Sequence, residues 1–167
     1  MKVETYTIKD WEDQETGLLI AENEDWLLVR HIPVDYVVDG YKLYKKSFIE
    51  SRVTTDQERQ VEKVLGLRKI SMDIPNGFVF SDTIGLLSWV ESNYDMFEFQ
   101  GKDESELTYG KLIEDNDDQG LVIDWIAPDG TVDYDYVHEE AVSEIRVITF
   151  ETDYHISMRL LWKDVMG

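Results

Sequence analysis

A chain of 167 residues with 43% apolar side chains, 5 Trp, 9 Tyr and 6 Phe can bury a real core, which argues against disorder despite a net charge of -20. It has no cysteine, so disulfides, thiolate zinc sites and cysteine nucleophiles are excluded, and no run approaches the ~20 apolar residues of a membrane helix. The opening Met1-Lys2-Val3-Glu4-Thr5-Tyr6 lacks the apolar stretch of a secretory signal, and the expectation is a cytoplasmic protein.

A skeleton of Gly-x-Leu-Ile-x-acid-Asn-acid-Asp-x-x-Leu-Val occurs twice without a gap, from Gly17 to Val29 and from Gly110 to Val122. Self-similarity of this kind reports architecture rather than chemistry. In the first copy, Leu18-Leu19-Ile20 and Trp26-Leu27-Leu28-Val29 flank Glu22-Asn23-Glu24-Asp25, which reads as a β-hairpin. Gly17 is expected at a bend or bulge. Asp39-Gly40 then marks a turn into Tyr41-Lys42-Leu43-Tyr44, and Phe48 to Val53 is another strand. Tyr41, Leu43 and Trp26 are expected in the core, with Lys42, Lys45 and Lys46 solvated.

Thr55-Asp56-Gln57-Glu58 is a capping box, and Val61, Val64 and Leu65 follow at helical spacing, so a helix is predicted over 56–65 with Gly66 as its stop. Ser81 or Asp82 can cap a second helix carrying Ile84, Leu87 and Val90 to Tyr94 on one face. Phe78-Val79-Phe80 looks buried, and Gln100 to Leu107 reads as a linker.

The second hairpin places Leu112-Ile113 and Leu121-Val122-Ile123 around Asp115-Asn116-Asp117-Asp118. Pro128-Asp129-Gly130 is a turn, and Tyr134 to Val137 and Val142 to Val147 are read as further strands. Arg52-Val53 and Arg146-Val147 match across the copies. The tail supports two readings: Ile156, Met158, Leu160 and Trp162 alternate as in a strand, whereas Tyr154, Met158, Leu161 and Val165 recur as in a helix. A closing strand is the preferred expectation for 154–165.

The fold class that follows is mainly β (α+β). Two small related units, 1–53 and 108–167, flank a helical insert and linker over 54–107. The order of short strands resembles SH3-like or Sm-like barrels.

Charge narrows the partners. Residues 41–70 sum to +4, whereas residues 71–145 carry 19 acidic and 2 basic side chains. A surface this acidic repels phosphate backbones and anionic lipid, so neither nucleic acid nor membrane is an expected partner. Solubility is the plainest use of such a surface, and a basic protein partner is the sharper one. The Lys42, Lys45 and Lys46 patch would then pair with an acidic region, either of the other unit or of a second copy of the chain.

Catalytic templates fail. An EF-hand opened at Asp115 puts Gln119 at position 5 and Ile126 at position 12, where a bidentate Glu is needed. His31, His138 and His155 lack ligand spacing, and there is no Gly-x-Ser-x-Gly elbow or phosphate-binding Gly-Lys loop. No metal, cofactor or catalytic residue is assigned. The expectation is a non-catalytic acidic protein-interaction module with Glu114, Asp115, Asp117, Asp118, Asp133, Asp135, Glu139 and Glu140 facing its partner. An immunity-type inhibitor that neutralises a basic protein such as a nuclease is the first alternative. An enzyme with a carboxylate site at the seam between the units is the second.

Overall fold

The computed structural model describes residues 1–113 and 120–167, and the chain divides into two units, Met1–Val79 and Phe80–Gly167. Among the described residues there are ten strands and three α-helices, and the strand pairings within each unit are antiparallel. The α+β class with β dominant is as expected from sequence.

The first unit contains β1 (Val3–Ile8), β2 (Glu15–Glu22), β3 (Trp26–His31), β4 (Tyr41–Lys45), β5 (Ile49–Val53) and α1 (Asp56–Leu67). The strands lie in the order β5-β1-β2-β3-β4, and a 3-10 turn at Lys46–Phe48 precedes β5. Asn23 sets the β2–β3 turn: its side-chain oxygen accepts the amides of Asp25 at 3.0 Å and Trp26 at 2.8 Å. Gly17 is not the bulge. The register shifts between Leu19 and Ala21 instead, and Gly17 lies opposite Glu4 on one side and His31 on the other. A Cβ there would stand 2.6 Å from Val29 Cγ2, so close approach of the neighbouring strand is what requires glycine.

Glu58 accepts the Thr55 amide at 3.2 Å and the Thr55 hydroxyl, holding α1 as predicted. The helix runs past Gly66, and the chain turns at Lys69, which has φ +54°. Val61 and Leu65 face Val3, Leu18 and Ile32 in the core of this unit.

The second unit contains α2 (Thr83–Tyr94), β6 (Phe97–Gln100), β7 (Thr108–Leu112), β8 (Leu121–Ile126), β9 (His138–Glu140), β10 (Val147–Phe150) and α3 (Asp153–Met166). Its strand order is β10-β6-β7-β8-β9, with a 3-10 turn at Val142–Glu144 before β10. Gly110 lies opposite Phe97 and Trp125, much as Gly17 lies opposite Glu4 and His31. The segment 54–107, expected as an insert, is shared out: α1 falls in the first unit, and α2 and β6 fall in the second.

Four expectations are corrected. The tail is helical, because Thr152 caps it by accepting the His155 amide at 3.0 Å and because burial falls at His155, Met158 and, in part, Trp162. A strand would have buried Leu160, which is 62% exposed. Tyr134 to Val137 is not strand: Asp133 and Tyr136 close a turn, and β9 starts only at His138. Val79 is exposed rather than buried. Arg52 and Arg146 are not structural counterparts, since Arg52 sits inside β5 opposite Tyr6 while Arg146 precedes β10.

Candidate functional site

Two lysines of the positive patch, Lys42 and Lys46, are paired with carboxylates of the first unit itself. Lys42 is buried, with Nζ 2.6 Å from Glu15, and Lys46 Nζ lies 2.7 Å from Glu22. Arg52 joins them, 2.7 Å from Glu4 and 3.0 Å from Glu22. Hydrogen bonds from Arg52 and then Lys46 push the Glu22 carboxyl down to about 2. The expectation that Lys42 is solvated is therefore corrected, and Lys42 and Lys46 find their acids in their own unit. Trp26, Leu43 and Tyr44 are core, while Tyr41 is half-buried with the Arg30 guanidinium 5.5 Å from its ring centre.

A groove of about 670 Å³ opens in the first unit between the first turns of α1, strands β1 and β2, and the loop at 32–36. Thr5, Thr16, Gln60 and Tyr36 line it with the carboxylates of Asp35, Asp56 and Glu58. Burial works upward on the Glu58 carboxyl, but hydrogen bonds from Thr55 and Thr5 hold it below the usual range. It therefore stays ionised at neutral pH, suited to accepting hydrogen bonds rather than relaying a proton. The same carboxylate takes the Thr55 amide at the start of α1, and its negative charge there disfavours an anion.

The acidic residues singled out from sequence lie in the second unit. Glu114, Asp115, Asp117 and Asp118 fall outside the described residues. Asp133, Asp135 and Glu139 are exposed. Asp133 organises the turn: its carboxylate accepts the Asp135 amide at 3.0 Å, and its carbonyl accepts the Tyr136 amide at 3.1 Å. Glu140 is half-buried, 3.0 Å from His138 Nε2. Together with Glu144, Asp103 and Glu106 it lines a recess of about 230 Å³ beside Lys102.

Between these carboxylates stand apolar and aromatic side chains that sequence reading placed in a strand. Tyr134 is 65% exposed, Tyr136 52% and Val137 61%. Trp125 on β8 is half-buried, with its ring 6.3 Å from that of Tyr136 at an interplanar angle of 67°. Tyr136 is in turn 6.2 Å from the His138 ring. The β8–β9 ladder ends with Ile123 opposite His138, and Tyr136, in the turn just before β9, comes beside Trp125 on β8. The signal available in the sequence was the alternation Asp133-Tyr134-Asp135-Tyr136 inside a stretch without a single lysine or arginine between Lys111 and Arg146.

Among the described residues, no group of three or more His, Asp or Glu side chains is arranged to hold a metal ion, and no helix is long and apolar enough to cross a membrane. Comparison with protein families, curated proteins and solved structures finds no match.

Proposed function

We propose that this protein is a non-catalytic protein-interaction module whose binding face is the acidic and aromatic segment from Asp133 to Glu140, and that its partner is a basic protein. The observation that carries this reading is the exposure of Tyr134, Tyr136 and Val137 among Asp133, Asp135 and Glu139. Solubility alone calls for carboxylates, but it does not call for three large apolar or aromatic side chains left in water beside them. Tyrosine at a surface of this kind supplies contact area with little rotamer entropy to lose, and carboxylates around it select a positive partner. A basic enzyme held this way would be inhibited, which is the immunity-type version of the same reading.

The two units belong to the proposal as a pair of SH3-like barrels derived from one ancestral segment. Its support is their shared wiring: a five-strand order in which the last strand returns beside the first after a 3-10 turn, followed by a helix. Gly17 and Gly110 at matching places in the ladders add to it.

The test is affinity capture from a lysate at low and high salt, with Asp133→Asn/Asp135→Asn/Glu139→Gln as the control. A basic protein retained at low ionic strength, eluted by salt and lost from the triple variant is the expected outcome, because exposed charges are screened over ~10 Å at 0.1 M salt. Retention that ignores both salt and the triple variant would overturn the reading.

A further inference from the structure

We propose that the corner formed by Trp125 and Tyr136, with His138 beside Tyr136, receives an arginine side chain of the protein partner. This rests on the acidic-face reading and adds a specific pocket chemistry to it. The two rings meet at 67° with centres 6.3 Å apart, so they present a face and an edge rather than a closed stack. The His138 ring lies 6.2 Å from that of Tyr136 at 57°. An aromatic face attracts a cation through the ring quadrupole, and the planar guanidinium can lie flat on it in a way that an ammonium cannot.

The protein itself uses this contact elsewhere: Arg30 lies 5.5 Å from the Tyr41 ring centre and Arg159 lies 5.8 Å from that of Tyr94. Trp125 and Tyr136 have no such neighbour in sequence, since the 34 residues between Lys111 and Arg146 hold eleven carboxylates and neither lysine nor arginine. Asp133 and Asp135 flank Tyr134 and Tyr136 along the turn, and Glu139 follows on β9, so the field around the rings favours a positive visitor. Tyr136 is 52% exposed and reachable without rearrangement.

The probe is an arginine-containing pentapeptide, Gly-Arg-Gly-Arg-Gly, titrated against the full chain while tryptophan fluorescence and the indole N–H resonances are followed. Trp125→Phe assigns the responding indole. Tyr136→Leu keeps apolar bulk and removes the ring; it should weaken the peptide about three- to fivefold, the range of an exposed cation–π contact. Tyr136→Phe should bind like the parent. Circular dichroism verifies that both variants are folded, and the exposure of Tyr136 makes folding failure an avoidable confound. If Tyr136→Leu binds like the parent while Asp133→Asn/Asp135→Asn loses the peptide, the corner is overturned and the acidic face stands. If neither variant changes binding, both fall. Free spermidine competing as well as the peptide would also overturn the proposal, because it would mark a polyamine site instead of a side-chain pocket.

Discussion

Replacing Arg52 by Ala strands a carboxylate. Glu4 is 3% exposed, and its two oxygens take Arg52 Nη2 at 2.7 Å and Nε at 3.1 Å. What remains after the substitution is the Tyr6 hydroxyl at 3.3 Å and the Lys2 ammonium at 3.7 Å. Losing one partner of a buried pair costs about 3–5 kcal/mol, because the other charge is left desolvated. Arg52 itself is 28% exposed, so water can reach part of the gap, and the cost expected here is about 2–3 kcal/mol. Urea unfolding of the parent, Arg52→Ala, Glu4→Gln and the double variant Glu4→Gln/Arg52→Ala measures it. The double variant should recover much of the loss, since no unpaired charge is left. A loss under about 0.5 kcal/mol for Arg52→Ala, the scale of an ordinary surface change, would refute the reasoning. Strict additivity in the double variant would refute it equally.

Other outcomes follow from the same geometry. Gly17→Ala should destabilise the first unit by about 1–3 kcal/mol by denaturant unfolding, because its Cβ would meet Val29 at 2.6 and 2.8 Å inside a packed sheet. Gly110→Ala should behave alike in the second unit, where the Cβ would stand 2.8 Å from the Asp124 carbonyl oxygen. Asp82→Ala removes the oxygen that accepts the Gly85 amide at 2.8 Å at the start of α2, for about 1 kcal/mol in the same assay. Burial pushes His31 down to about 4 and lowers His155, so both fold neutral. Their contribution is complete above pH 6.5 and drains as pH falls below it, for His31 down to about 4, and His155→Gln should flatten the stability profile below pH 6.5. Protonating His155 would cost it a hydrogen bond, since Nδ1 accepts the Glu151 amide at 3.1 Å while Nε2 donates to the Met96 carbonyl at 3.0 Å.

The acidic-face residues show how the proposed site is half legible in the sequence. Asp133, Asp135 and Glu139 could be named from sequence because carboxylates in a cation-free stretch are seldom buried. Trp125 was out of reach, for it lies on β8, before the Pro128-Asp129-Gly130 turn, and only the β8–β9 ladder brings its ring to Tyr136. Lys42 was misread for a related reason: its burial depends on Glu15, 27 residues away, reaching its ammonium.

What the chain carries locally could be read directly. Asn23 shapes its turn with its own side chain, Thr55 and Glu58 bond within one helical turn, and Asp82 caps α2 from the adjacent position, so those elements follow from neighbours along the sequence. Tertiary contact decided the rest. β6 and β10 are buried at every residue and therefore show no alternation to read, which is why Phe97–Gln100 passed for insert and linker. The tail held both periods at once, and it became a helix because His155 found the Met96 carbonyl and Met158 found Tyr109 and Ile126, partners that no local pattern could announce.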